Sequence, residues 1–278
     1  MEFRKKITYI TAFSVTAVFL GIAVFCIWRS DGGFSELFSG SHRWEVRKKE
    51  ARSRLLASPV LLYHNIDGRG AFSISLDTLR AHFELFSRNS VRVISFREYF
   101  ERLRNPRPFS GKVMIISFDD GFLSMYTKLL PLVREFRYPV TLFVYVDNVY
   151  HRARKNITWS QLRTMDREGV SIESHTISHA DLTRLTARNT PESRRRLFEE
   201  MYCSKRILEL YLHRKIRYLA FPYGRYNLEV IELSRYAGYE RVLSTDYGPN
   251  IVTRNNYCIR RQHIKNSYPL EKIKGFVQ

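Results

Sequence analysis

Short apolar segments rich in Val and Ile alternate with longer amphipathic segments from residue 58 onward. The apolar segments predict strands at Pro59–Tyr63, Arg92–Ile94, Val113–Phe118, Val140–Val146, Val170–Glu173, Arg217–Phe221, Arg241–Leu243 and Tyr257–Arg260. Such alternation predicts a parallel sheet covered by helices, either a barrel or a doubly wound sheet. No glycine-rich phosphate loop follows an early strand, which disfavours the dinucleotide-binding form of that sheet.

Helix boundaries between these strands carry recognisable capping signals. Ser75 is a good N-cap for a helix over Leu76–Asn89, whose apolar residues share one face. Thr190 and Pro191 mark the start of a second helix, because proline is favoured at the first helical position.

The first residues form a separate segment. Basic residues precede an uncharged stretch from Ile7 to Trp28, which is long enough for a helix to cross about 30 Å of hydrocarbon. Its end is a poor cleavage site, so we expect an uncleaved, single-pass transmembrane helix over residues 1–29 and a linker over residues 30–57. We expect residues 58–278 to form the main folded domain, on the extracytoplasmic side, periplasmic or at the cell surface.

The net charge of +19 comes from 46 Lys+Arg against 27 Asp+Glu. This excess suggests an anionic neighbour, such as nucleic acid, anionic lipid or an acidic polymer. No recognised nucleic-acid motif is present, so we expect no nucleic-acid partner. Three cysteines cannot form a dense disulfide framework, and the fold therefore depends on an ordinary apolar core.

Polar clusters directly follow four of the predicted strands. These are His64-Asn65, Asp119-Asp120-Gly121, the segment from His175 to His179, and Pro222-Tyr223-Gly224. Each alone also fits a simpler interpretation, such as a turn or a buried histidine. In a parallel barrel, however, all four strand ends open on the face where active sites lie. Two histidines with a carboxylate are a common catalytic metal arrangement, and a second carboxylate can accept a proton.

The same clusters resemble motifs of the polysaccharide deacetylases of carbohydrate esterase family 4, which share the NodB homology domain. The segments Ile116–Phe122, His175–Leu182 and Ala220–Gly224 are similar to its first three motifs. The opening Pro59–Ile66 looks like the branch that includes poly-N-acetylglucosamine deacetylases. The resemblance covers about residues 58–265 and implies a distorted (β/α) barrel with about seven units.

The resemblance also implies roles for individual residues. Asp120, His175 and His179 would bind a divalent metal, most often Zn²⁺, with Co²⁺ or another ion as alternatives. Asp119 would be the general base, and the backbone N–H of Tyr223 would contribute to an oxyanion hole. The histidine of the Tyr-His-Asn opening, His64, would be the catalytic acid.

Two departures from the family pattern leave choices open. The third motif usually begins with an arginine that orients the base, but Ala220 occupies that position here. Arg260 or Arg261 could supply the missing guanidinium from a later strand. The late histidine motif of other members is not clear, so His263 is the rival of His64 for the acid role.

The expected function is therefore metal-dependent hydrolysis of N-acetyl groups from an N-acetylglucosamine-containing glycan, with release of acetate. Peptidoglycan, a secreted exopolysaccharide and a lipid-linked oligosaccharide all stay open as substrates. One alternative is a metal amidohydrolase that acts on a small N-acyl compound. Another is a catalytically silent glycan-binding module with the same fold.

Overall fold

The computed structural model describes residues 59–104, 109, 111–150, 155–248, 250 and 257–276. The expected anchor over residues 1–29 and the linker over residues 30–57 lie outside this part of the chain. Within the described ranges, the helices are too short or too polar to span a bilayer.

In the described part of the chain, nine short strands form the sheet, and every pairing between them is parallel. They are β1 (Val60–Tyr63), β2 (Arg92–Val93), β3 (Val113–Phe118), β4 (Val140–Val144), β5 (Ser171–Ser174), β6 (Tyr218–Ala220), β7 (Arg241–Leu243), β8 (Cys258–Ile259) and β9 (Gln262–His263). Their spatial order is β8-β7-β6-β5-β4-β3-β1-β9, and β2 pairs with β3 beside this path. Each of the eight predicted strands coincides with an observed strand, with ends that differ by up to two residues, and β9 was not predicted.

The two ends of the strand path are joined by one short segment. β8 pairs with β7 at one end and β9 pairs with β1 at the other, although only Arg260 and Arg261 separate the two strands in sequence. Three residue steps can span at most about 11 Å, so the ends of the sheet must curl towards each other. This geometry supports the expected distorted barrel over the doubly wound alternative.

Helices follow most strands and cover the outside of the sheet. They are α1 (Leu76–Arg88), α2 (Phe96–Arg104), α3 (Leu130–Phe136, preceded by a π-helical turn over Met125–Leu129), α4 (Val146–Tyr150), α5 (Trp159–Arg167), α6 (Leu182–Arg188), α7 (Pro191–Leu212), α8 (Leu228–Tyr236) and α9 (Leu270–Lys274). Both predicted caps are confirmed: the Ser75 hydroxyl accepts the Thr78 N–H at 3.0 Å, and Thr190 forms a capping box with Ser193.

Two apolar layers hold the fold together. The larger layer lies between the sheet and the outer helices and includes the predicted face of α1. The smaller one fills the barrel with side chains from β1, β3, β4, β6, β7 and β8. Phe96, Tyr99 and Phe100 of α2 pack into this inner layer against Val113 and Tyr218, which lie at the starts of their strands. Helix α2 therefore closes the amino-terminal end of the barrel with apolar side chains. A polar site can then form only at the opposite, carboxyl-terminal end.

Candidate active site at the carboxyl ends of the strands

All the predicted site residues meet at the carboxyl-terminal mouth of the barrel. The register pairs Tyr63 with Phe118, which places His64 and Asp119 at the same level on neighbouring strands. The Asp119 N–H donates to the Tyr63 carbonyl at 3.0 Å. β9 runs beside β1 and brings His263 opposite Leu62, close to His64.

Asp120, His175 and His179 form a compact cluster of ligand atoms. Their three ligand atoms lie within 4.8 Å of one another. The Asp120 Oδ1 atom is 3.7 Å from His175 Nε2 and 3.5 Å from His179 Nε2. Asp120 and His179 have left-handed backbones, with φ of 80° and 59°, so the loops turn sharply enough to bring the side chains together. The cluster fits a divalent cation, since imidazole nitrogen and carboxylate oxygen are ordinary ligands of zinc.

The protonation of His175 suits a ligand role. Its Nδ1 atom lies 2.8 Å from the Ala220 carbonyl; a carbonyl only accepts hydrogen bonds, so Nδ1 carries the proton and Nε2 is free to bind a cation. Burial lowers the pKa of His175 to about 3, and burial also lowers the pKa of His179. Burial and the neighbouring Asp119 charge raise the pKa of Asp120 to about 7.

Asp119 is held by a different partner and takes no part in that cluster. Its carboxylate accepts two hydrogen bonds from the Arg261 guanidinium, both at 2.7 Å, and both side chains are almost fully buried. Burial alone would raise the pKa of Asp119, but the charge and hydrogen bonds of Arg261, together with the charges of His175 and His64, outweigh it and bring the pKa down to about 2. Of the two arginines predicted as substitutes at Ala220, Arg261 makes this contact, whereas Arg260 is exposed.

The two candidate acids stand side by side. The ring centroids of His64 and His263 are 5.2 Å apart, and Phe72 lies against both rings. The Nδ1 atom of His64 is buried and has no hydrogen-bond partner among the described residues. Burial lowers the pKa of His64, and burial together with His64 lowers the pKa of His263 to about 4.

The turn after β6 carries Tyr223 to the edge of the cluster. Tyr223 has a left-handed backbone with φ of 59°, and the centroid of its ring lies 4.7 Å from the centroid of the His179 ring. Glycine is required next to it, because a Cβ on Gly224 would lie 2.0 Å from Thr245 Oγ1. The turn begins at Pro222 as a short 3-10 helix, and the first amides of a helix have no acceptor within it.

Sequence reasoning missed two residues that hold the ligand loops. Glu200 of α7 accepts the N–H groups of Ile177 and Ser178 at 3.0 and 2.9 Å, in the loop between the two histidines. Asn148 of α4 donates its amide to the carbonyls of Asp120 and Gly121 at 2.7 and 2.9 Å. A signal existed for Glu200, since this carboxylate interrupts the buried face of α7.

A barrel mouth with this Asp-His-His cluster beside a buried aspartate defines a class of hydrolytic sites. The chain is similar to the polysaccharide deacetylase family, whose model matches residues 107–242. The protein YxkH of Bacillus subtilis, which carries the same family name, is 27% identical over 206 residues, or 74% of this chain and 71% of YxkH. The family and its named relatives identify the chain as an enzyme of the deacetylase class.

Two further similarities extend this comparison. The poly-β-1,6-N-acetyl-D-glucosamine N-deacetylase of Escherichia coli K12 is 26% identical over 135 residues, which is 42% of this chain but only 20% of that protein. The Streptococcus pyogenes deacetylase PplD, solved in complex with acetate, shares the fold with a TM-score of 0.71 at 21% identity. That match covers 80% of this chain and 98% of PplD.

Proposed function

We propose that this chain removes N-acetyl groups from an N-acetylglucosamine-containing glycan and releases acetate. The observation that carries the proposal is the Asp120, His175 and His179 cluster directly beside the buried Asp119–Arg261 pair. The family supports deacetylation, and the relatives named as poly-β-1,6-N-acetyl-D-glucosamine N-deacetylases support this class of substrate.

We assign Asp120, His175 and His179 as ligands of a divalent cation, most simply Zn²⁺. When bound, such a cation polarises the amide carbonyl and makes a water molecule acidic enough to attack near neutral pH. The residues fit this role, because the His175 Nδ1–H is already used by Ala220 and its Nε2 faces Asp120.

Asp119 is the proposed general base. Arg261 keeps its carboxylate ionised, and the two hydrogen bonds fix its orientation. A carboxylate so close to His175, with 3.8 Å between Asp119 Oδ2 and His175 Nε2, lies within reach of a water at the cluster. It can accept the proton of that water as the water attacks the acetyl carbon.

Two further roles have to be filled. The developing oxyanion needs a hydrogen-bond donor, and the leaving amine needs an acid that protonates it. The Tyr223 N–H would donate to the developing oxyanion, and one such donor can contribute about 3 kcal/mol. His64 would protonate the amine. The largest charge effect on the His64 pKa comes from Asp119 and favours its protonated form, whereas the larger charge effects on His263, from His64 and Arg261, disfavour protonation.

Acetate release tests the proposal directly. Peptidoglycan, chitooligosaccharides and poly-N-acetylglucosamine are each incubated with the protein, with and without a chelator, and a small N-acetyl compound serves as the comparison. We expect release from a polymer that is abolished by the chelator and restored by Zn²⁺ or Co²⁺. Stoichiometric metal binding without acetate release from any of these compounds would favour the catalytically silent glycan-binding module instead.

Three variants then test the assigned roles. Asp119→Asn should retain the metal and lose most of kcat, because the base is removed while the ligands stay. His64→Ala and His263→Ala compete for the acid role, and the larger loss of kcat identifies the acid. Near-normal turnover in Asp119→Asn would refute the base assignment.

We also propose that residues 1–29 anchor the chain in a membrane, with residues 30–57 as a linker to an extracytoplasmic catalytic domain. The uncharged stretch from Ile7 to Trp28 supports this arrangement. Membrane fractionation and protease digestion of intact cells test it: recovery of the chain in the soluble cell fraction would contradict the anchor.

A further inference from the structure

An exposed apolar ring stands at the rim of the barrel mouth, next to the candidate acid. Phe72 is 41% exposed, and its ring centroid lies 4.8 Å from that of His263 and 5.7 Å from that of His64. Exposed phenylalanine is common on protein surfaces, so exposure alone says little. The position of Phe72 is informative, because its ring extends the surface of the site outward from His64 and His263.

The loop that carries Phe72 is tied down by backbone hydrogen bonds. The Ile74 N–H donates to the Asn65 carbonyl at 3.1 Å, and the Asn266 N–H donates to the Ala71 carbonyl at 2.9 Å. The loop is thus held in place, and the ring packs against His64 and His263 while part of its surface stays in water. A binding group that is already ordered in the free protein loses little entropy when its ligand arrives.

We propose that Phe72 is a stacking platform for the pyranose ring next to the sugar that loses its acetyl group. This inference rests on the proposed function, since it concerns the same site. A pyranose presents one face of C–H groups, and a flat neutral ring buries that face without desolvating a charge. The platform lies beside His64, the proposed acid, so the sugar held there is the glycan unit adjacent to the departing amine.

This placement makes Phe72 a determinant of substrate length. A ligand with one sugar unit fills the reaction site and does not reach the platform. A ligand with several units gains the stacking contact, so the contribution of Phe72 should grow from monomer to oligomer. The chemistry itself should be untouched, because Phe72 carries no proton donor or acceptor.

Direct glycan binding tests the inference separately from turnover. The full-length chain is titrated calorimetrically, in the presence of a chelator, with N-acetylglucosamine, chitotetraose and the β-1,6-linked tetramer of N-acetylglucosamine. We expect Phe72→Ala and Phe72→Leu to weaken binding of at least one tetramer about three- to tenfold and leave monomer binding unchanged. Phe72→Tyr keeps the flat ring and should bind within about twofold of wild type.

Tyr236→Ala is the matched control, because Tyr236 is also an exposed aromatic, at 63%, but ends α8 before the amino-terminal end of β7. Thermal unfolding of each variant verifies the fold. Equal tetramer binding in wild type and Phe72→Ala, equal losses for monomer and tetramer, or no tetramer binding by wild type would each overturn the inference. Failure of the proposed function would instead appear as absence of acetate release from the metal-loaded wild-type protein.

Discussion

Removal of the Arg261 guanidinium is the most informative single change in this site. Arg261→Gln keeps a polar side chain but deletes the charge and the paired hydrogen bonds to Asp119, which is only 2% exposed. The Asp119 carboxylate would then be buried without a partner. Breaking a buried ion pair in this way typically costs about 3–5 kcal/mol of unfolding free energy.

The pKa of Asp119 gives an independent and lower value for this loss of unfolding free energy. Its ordinary value is 3.8, and in the folded protein it is about 2; at about 1.4 kcal/mol per pKa unit, the difference corresponds to about 2 kcal/mol. Because the folded-state pKa is depressed, this stabilisation is fully present above pH 3.8 and is lost as the pH falls towards 2. At pH 7 wild type has all of it, and Arg261→Gln should lose the share that Arg261 supplies.

Catalysis should suffer as well as stability. A base that is displaced by about 1 Å can lose roughly 100-fold in rate, and we expect a loss of that order in kcat. Arg261→Lys restores the charge but not the paired geometry, so its activity should fall between those of wild type and Arg261→Gln.

The assay combines chemical denaturation at pH 7 with acetate release under saturating metal. Arg260→Gln is the matched control, because Arg260 is the neighbouring residue and is exposed. If Arg261→Gln and Arg260→Gln have the same unfolding free energy and the same kcat, the assignment of Arg261 to Asp119 is refuted.

Three further predictions concern the proposed metal-binding cluster and the turn beside it. Glu200→Ala should weaken Zn²⁺ binding about 10- to 100-fold, because the loop between the two histidines loses the hydrogen bonds that hold it. Competition with a chelator measures the affinity, and Glu199→Ala is the control because Glu199 is exposed. Gly224→Ala should lower the unfolding free energy by more than about 1 kcal/mol, measured by denaturation, since its Cβ would collide with Thr245 and its φ is 67°. Zn²⁺ affinity should fall as the pH drops below about 7, because Asp120 must lose its proton to bind; an affinity independent of pH between 5 and 8 would contradict that pKa.

The sequence was sufficient to predict most strands and the residues at their ends, because both signals are local. A buried parallel strand is a run of apolar residues, and the polar cluster that follows it marks the strand end. The predicted strand Val140–Val146 extends too far: β4 ends at Val144, and α4 begins at Val146. Apolar residues continue into that helix, so hydrophobicity alone could not locate the boundary.

Long-range contacts could not be predicted in the same way. Arg261 lies 142 residues from Asp119 in sequence, and the sequence alone offered Arg260 equally. The plugging role of α2 was also hidden, since the aromatic residues that fill the barrel end, such as Phe96 and Tyr99, resemble those of any amphipathic helix. Both features depend on closure of the sheet, which no local pattern encodes.

The segment that joins the two ends of the sheet also supplies a residue of the candidate site. The segment from Cys258 to His263 pairs with β7 at its start and with β1 at its end, and Arg261 lies between the two pairings. The side chain of Arg261 enters the barrel above Phe143, with 5.3 Å from its guanidinium carbon to the ring centroid, and reaches Asp119. A buried guanidinium is costly unless it is paired, so the closing segment is stable in this position only when Asp119 is ionised. Asp119, the proposed general base, therefore also contributes to holding the two ends of the sheet together, which explains why Arg261→Gln should affect stability and turnover at once.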